Sequence, residues 1–231
     1  MIRNHILLAV RNIAKHKLFS LINIAGLSLG LTAAIILFLF AKYQLTYDQY
    51  HSNADDLYIV YKERITPTGT QPTYDTWHPL LGQLKADFPE VKTGTRINES
   101  GVMVEANGNR FSESCYYVDP AYFNVFDFPL ALGDNNNPLP TKNSAIISQE
   151  LAKKFFGEEN PIGKPLIINF EQQYTVSGVL EDYPQNSSIA SDLIFPIQSQ
   201  PDYADWENDW GSSSLFTVIQ LDEAAYQETM E

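Results

Sequence analysis

Residues 18–40 read LFSLINIAGLSLGLTAAIILFLF, 23 residues without a charge. At about 1.5 Å of rise per residue, a helix of this length crosses the roughly 30 Å hydrocarbon core of a bilayer. The charges divide around it. Before Tyr43 stand Arg3, Arg11, Lys15, Lys17 and Lys42 and no acidic residue, while all 28 acidic residues follow. The net charge of −13 therefore conceals +5 on the first 42 residues and −18 on the remainder, a balance that argues against nucleic acid as a partner. Four basic residues precede the span and one follows it, which orients the N-terminus toward the cytoplasm and the main domain outside.

A cleaved signal peptide has an apolar region of about 7 to 15 residues that ends at a small-x-small site. This run is longer and leaves through Phe40-Ala41-Lys42-Tyr43, so it reads as an uncleaved anchor. Upstream, Ile2, Ile6, Val10 and Ile13 fall on one side of a helix, with Asn4, Arg11 and Lys15 on the other. That pattern predicts an interfacial helix over 1–17, with membrane lipid as a partner of Arg3, Arg11, Lys15 and Lys17; the competing reading is a basic flank with no defined structure. Within the span, taken as 18–42, Gly26, Gly30 and Ala34 recur every four residues, a small-residue stripe that lets a second helix approach closely.

Residues 43–231 predict an α+β domain. Leu57–Tyr61 alternates as a strand, and Trp77, Leu80, Leu81, Leu84 and Phe88 recur at helical spacing up to Pro89. Strands are expected at 91–98, 101–106 and 110–118, with Asn107-Gly108-Asn109 as a hairpin loop. A loop at 134–138, a strand at 145–148, a helix over Gln149–Phe156 ended by Gly157, and strands at 163–170, 173–180, 191–196 and 214–221 complete the reading. The segment beginning at Asp222 reads as the start of a helix, which leaves the domain incomplete at its C-terminal side.

Chemical signatures are missing from this pattern. His5, His16, His51 and His78 are scattered without zinc-ligand spacing. Asp202–Trp210 is the densest acidic stretch but lacks the glycine and closing glutamate of an EF-hand, so it reads as a solvated loop whose two tryptophans tuck inward. The nearest approach to a phosphate-binding loop, Gly157 to Pro165, has proline where Ser or Thr is required. Cys115 is the single cysteine, excludes an internal disulfide and reads as a small apolar packing residue. No catalytic, cofactor-binding or metal residue is expected, and the chain does not read as an enzyme.

Several blocks are nevertheless distinctive: Arg11-Asn12 with Lys15, Gly26-Leu27-Ser28-Leu29-Gly30, and Tyr47-Asp48-Gln49-Tyr50-His51-Ser52-Asn53-Ala54-Asp55-Asp56-Leu57-Tyr58. Further on stand Val118-Asp119-Pro120-Ala121-Tyr122-Phe123-Asn124-Val125-Phe126-Asp127-Phe128-Pro129, Lys154-Phe155-Phe156-Gly157 through Pro161-Ile162-Gly163-Lys164, and Gly178-Val179-Leu180-Glu181-Asp182-Tyr183-Pro184 with Asn186-Ser187-Ser188. In this order the chain resembles the MacB-like, FtsX-related permeases of bacterial ABC transporters. The resemblance implies a transmembrane helix followed by a MacB-like periplasmic core domain in the cell inner membrane. It also implies a cytoplasmic ABC ATPase subunit, a second permease copy or half, and a periplasmic adaptor protein as partners, with coupling of the ATPase to periplasmic export or mechanotransmission. The family has several further spans after the outer domain, and the sequence ends with one, so the expectation is the N-terminal part of a longer permease. The alternative is a single-span anchored module that senses or binds a periplasmic ligand without an ATPase.

Overall fold

The structure, a computed structural model, describes His5, Arg11 and residues 14–184 and 186–222. The interfacial helix expected over 1–17 falls mostly outside the described residues, as does the helix expected to follow Asp222. Contacts divide the chain into two compact units, Met1–Tyr47 and Asp48–Glu231.

The first unit is built on helix α1, Lys17–Leu45, whose 29 residues correspond to about 43 Å of length. None of them is buried within the structure, which suits a helix whose solvent is lipid. The helix extends beyond the expected 18–42, and its last turn is closed by the Thr46 hydroxyl, which donates to the Lys42 carbonyl at 3.0 Å.

The second unit runs through strands β1 (Leu57–Val60), β2 (Lys62–Thr66), β3 (Gly69–Thr73) and β4 (Thr76–Trp77), then helix α2 (Leu80–Asp87). Strands β5 (Val91–Ala106) and β6 (Asn109–Val118) follow, then α3 (Tyr122–Val125), β7 (Leu130–Leu132), β8 (Ser144–Ile147) and α4 (Gln149–Phe156). The chain continues through β9 (Pro165–Ile168), β10 (Gln172–Leu180), β11 (Leu193–Pro196), α5 (Tyr203–Trp206) and β12 (Ser213–Leu221).

Six of these strands close a hydrogen-bonded circuit. β5 pairs β6, β6 pairs β11, β11 pairs β8, β8 pairs β10, β10 pairs β9, and β9 returns to β5 through Val104 opposite Ile168. The β6–β11 and β8–β10 pairs are parallel and the others antiparallel. All six strands contribute to one buried cluster, among them Val104, Tyr117, Ile147, Ile168, Val176 and Phe195, so the circuit encloses a packed interior. Closure also removes open edges from these strands. Helix α4 buries Leu151, Phe155 and Phe156 in the same cluster, its first turn capped by the Ser148 hydroxyl, which accepts from the Leu151 amide.

A wing extends from the first half of β5. There Phe216–Leu221 of β12 pairs antiparallel with Ile97–Val91, and β1 adds outside β12. Helix α2 covers the wing with Leu81, and Gly94 permits the close approach: a Cβ there would lie 2.7 Å from the Val218 carbonyl and 2.8 Å from the Leu81 side chain.

Several expectations change. The segments 91–98 and 101–106 form one strand, because β6 pairs without interruption from Ile97 opposite Val118 to Ala106 opposite Asn109, carrying the ladder through Gly101. The hairpin loop is only Asn107-Gly108, both with positive φ (50° and 77°), the pair of conformations a type I′ turn requires. Trp77 belongs to β4 and not to the following helix, since Thr76 and Trp77 pair with β12. In the acidic stretch Trp206 is half-buried, whereas Trp210 is half exposed and lies against Trp77 with ring centroids 6.3 Å apart.

One ion pair fastens the first half of β5 to the residue that follows β6. Asp119 accepts from the Arg96 amide (2.8 Å), its Nε (2.9 Å) and its Nη2 (2.8 Å), while Nη1 donates to the His78 carbonyl (2.8 Å). Both side chains are nearly buried, so removing one partner strands the other's charge. Replacing Asp119 with alanine is expected to cost about 3 kcal/mol. Urea unfolding followed by fluorescence of Trp77, Trp206 and Trp210 measures this, and an unchanged midpoint would show that the pair contributes nothing net.

Candidate functional site

The residues that open the second unit, Asp48 to Asn53, are stitched to two remote segments. Asp48 donates its amide to the Asn186 carbonyl (3.0 Å), and its carboxylate accepts from the Ser188 amide (2.6 Å) and hydroxyl (2.5 Å). Its φ of 55° turns the chain there, a conformation aspartate tolerates better than most residues. Three residues on, the buried His51 accepts the Asp127 amide at Nδ1 (3.0 Å), while the Ser52 amide donates to the Asp127 carboxylate (2.5 Å). The Asn53 side chain donates to the Val125 carbonyl (3.0 Å), after which a turn over Ala54–Asp56 leads into β1. We refer to this set of contacts as the neck clamp.

An aromatic nest receives His51. Its ring lies 5.2 Å from Phe126, 5.1 Å from Phe128 and 5.5 Å from Tyr50. Tyr122, fully buried behind it, stacks on Phe128 at 5.6 Å and donates its hydroxyl to the Ile189 carbonyl (2.5 Å). Burial pushes the Tyr122 phenol well above its usual range. The nest therefore bridges the 119–128 segment and the 186–189 segment, so the three pieces of the clamp hold one another.

Because Nδ1 accepts from an N–H, the neutral His51 carries its proton on Nε2, which has no hydrogen-bond partner among the described residues. Burial holds the His51 pKa below its ordinary value, and the nearby carboxylates Asp127 and Asp48 only partly oppose this. Protonation would also set a second N–H against the Asp127 amide.

A second polar cluster surrounds His78, which is buried, lies 5.4 Å from Trp206, and has Nε2 3.3 Å from the Ser214 hydroxyl. Burial and then the charge of Arg96 lower its pKa. Its Nδ1 has no partner among the described residues, so the histidine and serine lack the orienting acid a nucleophilic triad needs. Cys115 is fully buried, with its thiol pushed up to about 12 by that burial, and is inert. Among the described residues no group of three or more His, Cys, Asp or Glu is arranged to hold a metal.

Gly26, Gly30 and Ala34 lie on α1, and a Cβ added at either glycine would meet nothing within 4 Å. Arg11, Lys15 and Lys17 are exposed, and Arg3 lies outside the described residues. Sequence reasoning did not identify the clamp as a site. Its signal was present in the family-like blocks 47–58, 118–129 and 178–184 with 186–188, but nothing in the chain's linear order says that these three blocks touch.

Residues 20–231 match the family described as the MacB-like periplasmic core domain. The macrolide export ATP-binding/permease protein MacB of Aggregatibacter actinomycetemcomitans is 32% identical over 98 residues, 39% of this chain and 15% of that protein. The match thus spans under one sixth of the curated relative. A domain of a Porphyromonas gingivalis protein described as a permease superposes with a TM-score of 0.64 at 24% identity, covering 74% of this chain and 75% of that one. The extracellular domain of the noncanonic ABC-type transporter YknZ from Gram-positive bacteria gives 0.51 at 18% identity, over 73% and 83%. The periplasmic region of MacB from Actinobacillus actinomycetemcomitans gives 0.50 at 17%, over 64% and 66%. At these identities the structural likenesses establish the fold.

The buried neutral histidines make the second unit acid-sensitive. A pKa lowered in the folded state means that the unfolded chain binds more protons below about pH 6.5, so the contribution of these two histidines is complete above that value and is lost as pH drops toward the folded-state pKa. The urea midpoint of the wild type is expected to fall between pH 7.5 and 5.5, and His51→Gln, which keeps an acceptor for Asp127, is expected to show a smaller fall. A midpoint that is flat or rises on acidification would contradict the buried neutral state.

Proposed function

The chain belongs to the family of MacB-like periplasmic core domains, and on that premise we propose that it is the N-terminal portion of an ABC transporter permease that couples a cytoplasmic ATPase to work on the periplasmic side. In this reading α1 is the first span in the cell inner membrane, the N-terminus is cytoplasmic, and residues 43–231 form the periplasmic core. Arg3, Arg11, Lys15 and Lys17 meet lipid phosphates at the inner surface. The stripe of Gly26, Gly30 and Ala34 packs against a helix of a second permease copy or half.

The neck clamp is the observation that carries the reading. A chain that merely anchors a domain can leave its membrane helix through a loose linker. Here the residues directly after the first unit are held by backbone and side-chain hydrogen bonds to the aromatic core of the second. Displacement of the chain at Asp48 is therefore transmitted to the 119–128 and 186–189 segments and is not absorbed by slack. The MacB relative is an ATP-binding/permease protein by name, which supports an ATPase as the source of that motion, and a periplasmic adaptor protein is a further partner in the same scheme.

The test is assembly in the membrane. The tagged chain, extracted in mild detergent, is expected to co-purify with an ABC ATPase subunit and permease helices, and Gly26→Leu combined with Gly30→Leu is expected to reduce that recovery about tenfold while leaving membrane insertion intact. Recovery unchanged by the double substitution would remove the packing role of the stripe. Absence of any ATPase from the wild-type complex would favour a membrane-anchored sensing module instead.

A further inference from the structure

Where the wing joins the barrel lies an open cavity of about 590 Å³, lined by strands β1, β5, β6 and β12, by Tyr74 and Asp75, and by the 188–189 segment. Its volume falls within the roughly 300–1,000 Å³ of small-molecule sites. Ile59, Ile97, Phe216 and Ile189 give it apolar surface. Its polar lining includes the carboxylates of Asp75 and Glu99 and the hydroxyls of Tyr116 and Ser214, with no Lys or Arg among the lining residues.

The two carboxylates differ in state. Asp75 is already neutralised: its Oδ2 accepts from Lys62 (2.8 Å) and from the Ser213 hydroxyl (2.7 Å), and these bonds hold its carboxyl down at about 2. Glu99 is exposed and has no ion pair among the described residues. It stands opposite Tyr116 in the β5–β6 register, so one negative charge sits beside an aromatic ring at an apolar cavity. The cavity wall is also fixed in advance. Ser188 is held by Asp48, and the Ile189 carbonyl accepts the Tyr122 hydroxyl, so a ligand need not order this segment to bind.

We propose that this cavity binds an amphiphilic cation, an apolar body of drug-like size or smaller bearing a single ammonium group that pairs with Glu99. The apolar body displaces water from Ile59, Ile97, Phe216 and Ile189, and the ammonium supplies the countercharge the lining lacks. The source of that chemistry is either a free amine or a basic side chain of a peptide. The site stands on its own geometry and holds whether or not an ATPase drives the unit.

The experiment uses the full chain in lipid nanodiscs with isoleucine methyl groups labelled for NMR. Three probes share one body: 4-phenylbutylammonium, 4-phenylbutanol and 4-phenylbutanoate. The ammonium is expected to give saturable shifts at Ile59, Ile97 and Ile189, with the alcohol about tenfold weaker and the carboxylate weaker still. Glu99→Gln, at an exposed position, is expected to reduce ammonium affinity to that of the alcohol and leave the alcohol unchanged. A blocked lysyl-phenylalanine dipeptide that reproduces the three shifts assigns the source to a peptide, and its failure beside a binding ammonium assigns it to a free amine. Equal binding of ammonium and alcohol, indifference to Glu99→Gln, or no saturable shift at the three isoleucines would each overturn the proposal.

Discussion

Strand β5 is the element on which the second unit depends. Its first half is a wing strand bonded to β12, its second half is a barrel stave bonded to β6 and β9, and among the described residues the ladder connecting wing to barrel runs through it. The wing ladder with β12 and the barrel ladder with β6 meet at Ile97, next to Arg96, which is fastened to Asp119. The same aspartate opens the 119–128 segment, whose aromatic residues receive the neck of the unit. Wing, barrel and neck thus share one charged anchor, in a region where bonding has to be complete because little water is present to substitute for it.

Local structure was legible wherever one residue dictates backbone geometry. Helix α4 falls over the residues expected because Ser148 caps its start, the spacing of Leu151, Phe155 and Phe156 gives it a buried face, and Gly157 stops it. Asn107-Gly108 announced its turn in the same way. The β2–β3 hairpin was not anticipated, since its strands KERIT and GTQPT have exposed or half-buried positions throughout and lack the alternation that marks a half-buried strand. The break expected near Gly101 was a fair inference from composition that the continuous partner strand overrode.

The candidate site was legible in its parts but not in its assembly. Asp48, His51, Asp127 and Ser188 stand in blocks that carry the family resemblance, yet the contacts that give them meaning join residues 75 to 140 positions apart. His51 carried no site signal in the sequence because no histidine stands at ligand spacing from it; its partners are a backbone amide and a set of aromatic rings, which no spacing rule detects. The opposing charges of the two parts of the chain, by contrast, were visible from counting alone.

Cys115 has a practical consequence. Its side chain is sealed in the barrel interior beside Tyr117, on the strand bonded to β5 and β11. A thiol reagent reaches it only when those strands part, so its alkylation rate is a clock for opening of the barrel, separate from fluctuations of the wing or the β2–β3 hairpin. Since it is the only sulfhydryl in the chain, that clock runs without a second signal to subtract, and cysteines introduced on the surface for distance measurements need no prior removal of a native one.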